Sequence, residues 1–169
     1  MMKLQKNIQL IVIALLVSVM TNAQNKPASP AAVATGKING ATITINYSSP
    51  SVKGRVIWGE LVPFNKIWRA GANAATTIET DKELMIEGAK LPAGKYSFFV
   101  IPSEKECVLI FNKVAKMSGT SNYDEKQDQL RVTVKQKASS STTESLVYTI
   151  NDKSIVLSWE KWNIPFGVK

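Results

Sequence analysis

Short segments in which apolar and polar residues alternate recur along this chain, and turn residues separate them. The first two segments are joined by Asn39-Gly40, a dipeptide that favours a tight β-hairpin turn because both positions adopt positive φ readily. In the second arm Ile43 and Ile45 share one face, and polar residues occupy the other, which is typical of a half-buried strand. We therefore predict a β-hairpin over residues 32–47.

The same kind of pattern continues to the C-terminal end. Residues 107–111 are almost entirely apolar, as in a central strand that is covered on both faces. Residues 130–135 alternate again, and a second hairpin is expected over residues 146–159. Turn signals recur roughly every 8 to 12 residues, and no amphipathic helix of about ten residues is evident. We predict an all-β fold, an antiparallel β-sandwich of roughly nine or ten short strands.

Four other segments carry local predictions. A short strand is expected at residues 56–58, and one helical turn at residues 63–67. Residues 136–143, rich in Lys, Ser and Thr, predict a loop. Residues 162–166 predict a separate edge strand, because Pro165 cannot donate to a central ladder.

The first 23 residues have the layout of a signal peptide. Lys3 and Lys6 precede an apolar run over residues 8–20, and small residues follow. That run has about 13 residues, whereas a membrane-spanning helix needs about 20. We predict cleavage after Ala23 and export to the periplasm or beyond, with no membrane span in the mature chain.

After the predicted cleavage point, residues 24–31 form a polar, proline-containing stretch that we interpret as a flexible arm. Residues 32–169 then predict a single β-sandwich domain, which is long enough to bury a core without disulfides. Cys107 is the single cysteine and lies in an apolar run. We interpret it as a buried structural thiol.

Composition restricts the chemistry of the chain. Its formal net charge is +8 with no histidine, which excludes the commonest general base and disfavours most zinc sites. No glycine-rich phosphate loop is present. The lysines are dispersed, and together with export this argues against a nucleic-acid partner. We predict no cofactor, and a binding protein rather than an enzyme; the basic surface either contacts anionic envelope components or is simply solvated.

Residues 47–80 are the best candidate for a functional site, because they hold two of the three arginines and two of the four tryptophans. Guanidinium groups bind carboxylate or phosphate through paired donors, and tryptophan offers a flat face to a sugar or cation. The predicted ligand-binding residues are Arg55, Trp58, Trp68, Arg69, Asn73 and Thr76. The expected partner is a small molecule, a glycan or an envelope ligand of unknown identity.

Other interpretations of these residues stay open at this point. The two arginines could instead hold backbone carbonyls or pair with Glu60 or Glu79, with the tryptophans closing the sandwich. An enzyme would most plausibly be a hydrolase that uses Asp124 or Asp128 with an arginine for transition-state charge. A third alternative is a structural assembly module that works through exposed strand edges. The sequence predicts no oligomeric state.

Several segments, in one order, also match a known pattern. They are residues 47–55, 61–63, 68–77, 91–97, 122–124 and 128–132. On these segments the chain resembles an exported bacterial family catalogued as domain of unknown function 2911. The resemblance covers roughly the whole predicted mature chain.

The resemblance implies export and a β-rich domain, but no established activity, so no catalytic residues carry over. The family pattern tends to carry tryptophan where this chain has Cys107 and Ser118. It singles out four motif positions, which are Arg55, Arg69, Asn73 and Asp128.

Overall fold

The structure is a computed structural model, and it describes residues 28–169. The predicted signal peptide, its cleavage after Ala23 and residues 24–27 of the predicted arm lie outside the described residues. The described residues form ten strands and one 3-10 turn, and none of their helical structure is long and apolar enough to cross a membrane. The strands are β1 (Ala31–Ile38), β2 (Ala41–Ser48), β3 (Thr76–Thr80), β4 (Leu84–Ile86), β5 (Ala89–Leu91), β6 (Gly94–Pro102), β7 (Cys107–Asn112), β8 (Asp128–Val134), β9 (Lys137–Asn151) and β10 (Ser154–Gly167).

The strands form two antiparallel layers. One layer is a six-stranded sheet in the order β1-β2-β3-β6-β7-β8. The other contains the long β9–β10 hairpin and the short β4–β5 hairpin, which are connected by a bridge between Ile86 and Val168. Met85 and Lys169 exchange backbone hydrogen bonds of 2.7 and 3.0 Å at the same seam. The all-β, antiparallel sandwich prediction is confirmed.

Aromatic side chains from both layers meet in the core. Phe166 of β10 packs against Phe98 of β6 and Phe111 of β7, with ring centroids 5.8 and 6.4 Å apart. Tyr148 of β9 meets Tyr47 of β2 at 4.9 Å. Burying one large apolar side chain contributes about 1.5–3 kcal/mol to stability. These contacts hold the β9–β10 hairpin against the six-stranded sheet.

The local predictions with the clearest patterns are confirmed. Asn39 and Gly40 have φ of 49° and 76°, and they form the turn between β1 and β2. β7 lies between β6 and β8, as expected for a continuous apolar run. Cys107 is fully buried, and burial raises the pKa of its thiol to about 11.

Two predictions about the C-terminal part of the chain were wrong. Residues 136–143 are not a loop, because β9 begins at Lys137 and its polar half pairs with β10. Residues 162–166 are not a separate strand but the end of β10. Pro165 is tolerated there because it lies beyond the last pair with β9, which is Asn163 with Lys137.

Three segments near the N-terminal part also differ from expectation. Residues 56–58 form no strand, and only Trp58 makes an isolated bridge, to Val62. Residues 63–67 form turns without a helix. β1 begins at Ala31, the last residue of the predicted arm.

Candidate functional site: an arginine-lined cavity

The irregular connection between β2 and β3, residues 49–75, is attached to the six-stranded sheet. β3 pairs with β6 only as far as Phe98, and Trp68 continues the pairing beyond it. The backbones of Trp68 and Val100 exchange two hydrogen bonds of 2.8 and 2.9 Å. Arg69 follows directly, so its main chain is fixed by the sheet even though it lies in a connection.

The turn after Arg69 is held in an unusual conformation. Ala70 is fully buried with φ of 51°, a region that costs a non-glycine residue of order 1–3 kcal/mol. Its carbonyl accepts two hydrogen bonds, from the Thr76 hydroxyl at 3.0 Å and the Tyr148 hydroxyl at 2.8 Å. Burial raises the pKa of Tyr148 well above its usual value, so this donor keeps its proton. Both side chains therefore stabilise the turn that orients Arg69.

Asn73 has a similar supporting position. Its side-chain amide donates to the Ser29 carbonyl and to the Ser48 hydroxyl, each at 3.3 Å. Its own carbonyl accepts a hydrogen bond of 3.1 Å from Arg69 Nη1. Of the six predicted ligand-binding residues, Asn73 and Thr76 thus contact the arginine segment and do not line the cavity described below.

Arg55 is held by the loop that precedes it. Its Nε donates to the Val52 carbonyl at 3.1 Å, and its Nη2 to the Ser51 carbonyl at 2.5 Å. The loop is anchored to β9, because Val52 and Lys53 donate their backbone N–H groups to Glu144. The side chain of Arg55 is thereby oriented by neutral carbonyls.

Arg55 and Arg69 line the same cavity, which has a volume of about 170 Å³. Trp68, Trp159, Leu61 and Ser29 are among the other residues that line it. No carboxylate lines this cavity within residues 28–169, and neither arginine forms a salt bridge there. Glu79, one of the acids considered as a partner, pairs with Lys95 instead, at 3.1 Å.

Gly119, in the connection between β7 and β8, lies against the Arg69 guanidinium. A Cβ atom added at Gly119 would be 2.8 Å from Arg69 Nη1. Gly119 also has φ of 64°, which favours glycine. The absence of a side chain at this position therefore leaves room for the Arg69 side chain.

The four tryptophans form one cluster beside the two arginines. Trp68 stacks on Trp159 with a centroid distance of 5.8 Å, and Trp58 stacks on Trp162 at 4.4 Å. Trp58 also meets Trp68 edge to face at 5.7 Å. The buried indole N–H groups of Trp58 and Trp159 find no acceptor among the described residues.

A second, wider cavity of about 400 Å³ lies beside this cluster. Arg55 lines it too, together with Trp58, Phe64, Glu160 and Trp162. Of the predicted ligand-binding residues, Trp68 and Arg69 line only the smaller cavity. Trp58 lines only the wider cavity, and Arg55 lines both.

The acidic residues considered for hydrolysis lie in neither cavity. Asp128 accepts hydrogen bonds from Asn112 at 2.7 Å, Tyr123 at 2.6 Å and Arg131 at 2.7 Å. Asp124 accepts from the backbone of Lys126 at the start of the 3-10 turn. Hydrogen bonds from other residues orient both carboxylates, and neither carboxylate contacts Arg55 or Arg69.

Sequence reasoning missed three residues of this region. Trp159 had a detectable signal, since it shares the inward face of a predicted strand with Ile155 and Leu157. Ser29 and Tyr148 had none, because their role depends on contacts with residues that are far away along the chain.

The fold and the site define a two-layer antiparallel β domain with an arginine-lined cavity at the connection between β2 and β3. The chain belongs to the family described as protein of unknown function (DUF2911), whose model matches residues 29–168. This confirms the resemblance seen in the sequence. No curated protein and no solved structure matches the chain.

Proposed function

We propose that this protein is an exported, non-catalytic binding domain that captures an anionic or sugar-like ligand in the cavity lined by Arg55 and Arg69. One observation carries the proposal: two guanidinium groups line one cavity, and no carboxylate of residues 28–169 neutralises either of them. A guanidinium is always charged at ordinary pH. The two guanidinium groups of Arg55 and Arg69 therefore favour an anion as the ligand.

The way the arginines are held supports this proposal. Carbonyls orient both side chains but do not cancel their charge, and N–H groups on each guanidinium remain available for a ligand. Trp68 and Trp159 add apolar surface to the lining of the cavity, and charge interactions beside apolar surface are stronger than in open water.

The size of the cavity limits what enters it. A volume of about 170 Å³ is below the range of roughly 300–1,000 Å³ that is usual for whole small-molecule ligands. It suits a carboxylate, phosphate or sulfate group with a few neighbouring atoms. We therefore expect the charged end of a ligand to bind here, while the remainder lies outside.

Export is part of the proposal and rests on the N-terminal sequence. Lys3 and Lys6, the apolar run and the small residues before Gln24 have the order of a cleavable signal. Cell fractionation followed by N-terminal sequencing tests it. We expect a mature chain that begins at Gln24 outside the cytoplasm; an uncleaved chain in the cytoplasm would contradict export.

Tryptophan fluorescence can test ligand binding directly, because Trp68 and Trp159 line the cavity. We propose titrations with glucuronate, citrate and phosphate, with glucose as the uncharged comparison. At least one anion should give a saturable change, and Arg55→Gln and Arg69→Gln should each weaken it by about tenfold or more.

Lys66→Gln is the matched control for these variants. Lys66 is an exposed cation of the same connection and lines neither cavity. The Lys66→Gln variant should bind the anion as tightly as the unchanged protein does. This comparison distinguishes a specific site from general attraction of anions to a basic surface. Equal weakening by all three substitutions, or no saturable response to any anion, would overturn the proposal.

A further inference from the structure

We infer that the ligand is an acidic saccharide that lies across both cavities, with its carboxylate in the smaller one and an adjoining neutral sugar ring in the wider one. This inference rests on the proposed function and adds the chemical class of the ligand. It follows from three features of the wider cavity: its connection through Arg55, its aromatic lining and its single acid.

The first feature is the position of Arg55. Among the described residues, Arg55 is the one that lines both cavities. Nε and Nη2 of Arg55 already donate to carbonyls, so Nη1 and the second hydrogen of Nη2 are the donors that remain for a ligand. A ligand that binds at Arg55 and Arg69 can therefore continue past Arg55 into the wider cavity.

The second feature is the aromatic lining. Phe64, Trp162 and Trp58 stack nearly in parallel, at 6.0 and 4.4 Å with interplanar angles of 16° and 11°. All three are only half-buried and line the wider cavity. A sugar ring presents apolar C–H faces that gain dispersion energy on such rings. With a volume of about 400 Å³, the cavity is wide enough for one.

The third feature is Glu160, the one acid that lines the wider cavity within the described residues. Its Oε2 accepts a hydrogen bond from the Lys161 backbone at 2.6 Å, which orients the carboxylate. A carboxylate accepts hydrogen bonds from sugar hydroxyls but repels a second acid. It therefore favours a neutral ring here and directs the acidic end toward Arg55 and Arg69.

The backbone at Glu160 also indicates a specialised position. Its φ is 54°, and the pairing of β10 with β9 shifts register on both sides of it. Bulges and strained non-glycine residues re-aim side chains and are concentrated next to binding sites. In this molecule the irregularity lies between Trp159, which lines the smaller cavity, and Trp162, which lines the wider one.

Isothermal titration calorimetry with three probes tests the inference. The probes are glucuronate, a disaccharide in which glucuronate is linked to a neutral hexose, and the neutral disaccharide of the same linkage. We expect the acidic disaccharide to bind about tenfold tighter than glucuronate, and the neutral disaccharide to bind far more weakly than either.

Substitutions assign that gain to the wider cavity. The measured quantity is the ratio of disaccharide affinity to glucuronate affinity within the same variant. Trp162→Ala should remove most of this advantage of the disaccharide, and Glu160→Gln should reduce it several-fold. Trp162→Phe keeps an aromatic ring and should retain part of the affinity advantage of the disaccharide. This variant replaces Trp162→Ala in the test if Trp162→Ala fails to fold. Val147→Ala, an exposed apolar residue on β9, is the control and should change nothing.

The outcomes separate this inference from the proposed function. If the acidic disaccharide binds no tighter than glucuronate, or keeps its advantage in both Trp162→Ala and Glu160→Gln, the two-cavity inference is wrong. Glucuronate binding that is still lost in Arg69→Gln would then leave the proposed function standing. If neither acidic saccharide binds, the inference is wrong. The proposed function fails with it only if citrate and phosphate also give no saturable fluorescence response.

Discussion

Two regions of this molecule use arginine in opposite ways. Arg131 donates to Asp128 at 2.7 Å and to the Tyr123 hydroxyl at 2.6 Å, and lies 3.3 Å from Glu125. Arg55 and Arg69 donate only to backbone carbonyls within the described residues. Arg131 therefore has counter-charges within the fold, whereas Arg55 and Arg69 form no salt bridge within residues 28–169.

The difference lies in what each arrangement stabilises. Asp128 is nearly buried, with 8% of its side chain exposed, and three donors satisfy it, so the network around Arg131 ties the β7–β8 connection together. The carbonyls that accept hydrogen bonds from Arg55 and Arg69 orient the two guanidinium groups but do not neutralise their positive charge. The first arrangement is expected to matter mainly for stability, and the second mainly for binding.

The largest expected effect is on the Arg131 network. Asp128→Ala leaves Asn112, Tyr123 and Arg131 without their shared acceptor, and we expect a loss of about 3 kcal/mol in the free energy of unfolding. Chemical denaturation measures it, with Asp152→Ala in the exposed β9–β10 turn as control. A loss below about 1 kcal/mol, as at an ordinary surface ion pair, would remove the contrast between the two regions.

A second prediction concerns the space beside Arg69. Gly88 and Gly119 both have positive φ, but an added Cβ meets nothing within 4 Å at Gly88 and Arg69 Nη1 at 2.8 Å at Gly119. Gly88→Ala should cost about 1 kcal/mol from backbone strain alone. Gly119→Ala should cost about 2 kcal/mol and also weaken glucuronate binding, although both arginines remain. Equal binding by the two variants would show that the position of Arg69 does not matter.

The third prediction uses alkaline pH. Burial and the hydrogen bond to Asp128 raise the pKa of Tyr123 to about 12, from the usual tyrosine value of 10.0. Between these values the folded protein holds a proton that the unfolded chain has lost, so stability should fall as pH rises from 10 to 12. Tyr123→Phe should cost about 1 kcal/mol at neutral pH and show a shallower decline in thermal stability over that pH range. An equally steep decline would place Tyr123 outside the network.

The smallest effect is expected where the arginines lack counter-charges. Arg55→Gln and Arg69→Gln should each change the free energy of unfolding by less than about 1 kcal/mol, since each loses only hydrogen bonds to carbonyls. Arg131→Gln, the same substitution in the other region, should cost about 2 kcal/mol. A large loss in all three would mean that Arg55 and Arg69 also serve the fold, and that the contrast is wrong.

The parts of the fold that could be predicted from sequence are those with a local cause. The turn at Asn39 and Gly40 depends on two adjacent residues, and β7 depends on an unbroken apolar run. Residues 137–143 were missed because their strand pairs with an irregular part of β10, and neither alternation nor β-branched apolar residues indicate it.

The candidate site shows the same division. Arg55 and Arg69 were predicted to share a site because they lie close together in the sequence, and both line one cavity. The role of Thr76 could not be predicted, because its hydroxyl is directed to the Ala70 carbonyl by burial inside the domain. Trp159 and Ser29 join the cavity only through tertiary contacts.

The pairing of Trp68 with Val100 has a further consequence. Since these two residues extend the six-stranded sheet, the segment next to Arg69 should exchange its amide hydrogens as slowly as a strand rather than as a loop. A segment held in this way is pre-organised, so it would lose little conformational entropy on binding the proposed ligand. We expect the ligand to bind rapidly and with little change in the conformation of the protein. Selectivity should then come from the shape that the cavity already has before the ligand binds.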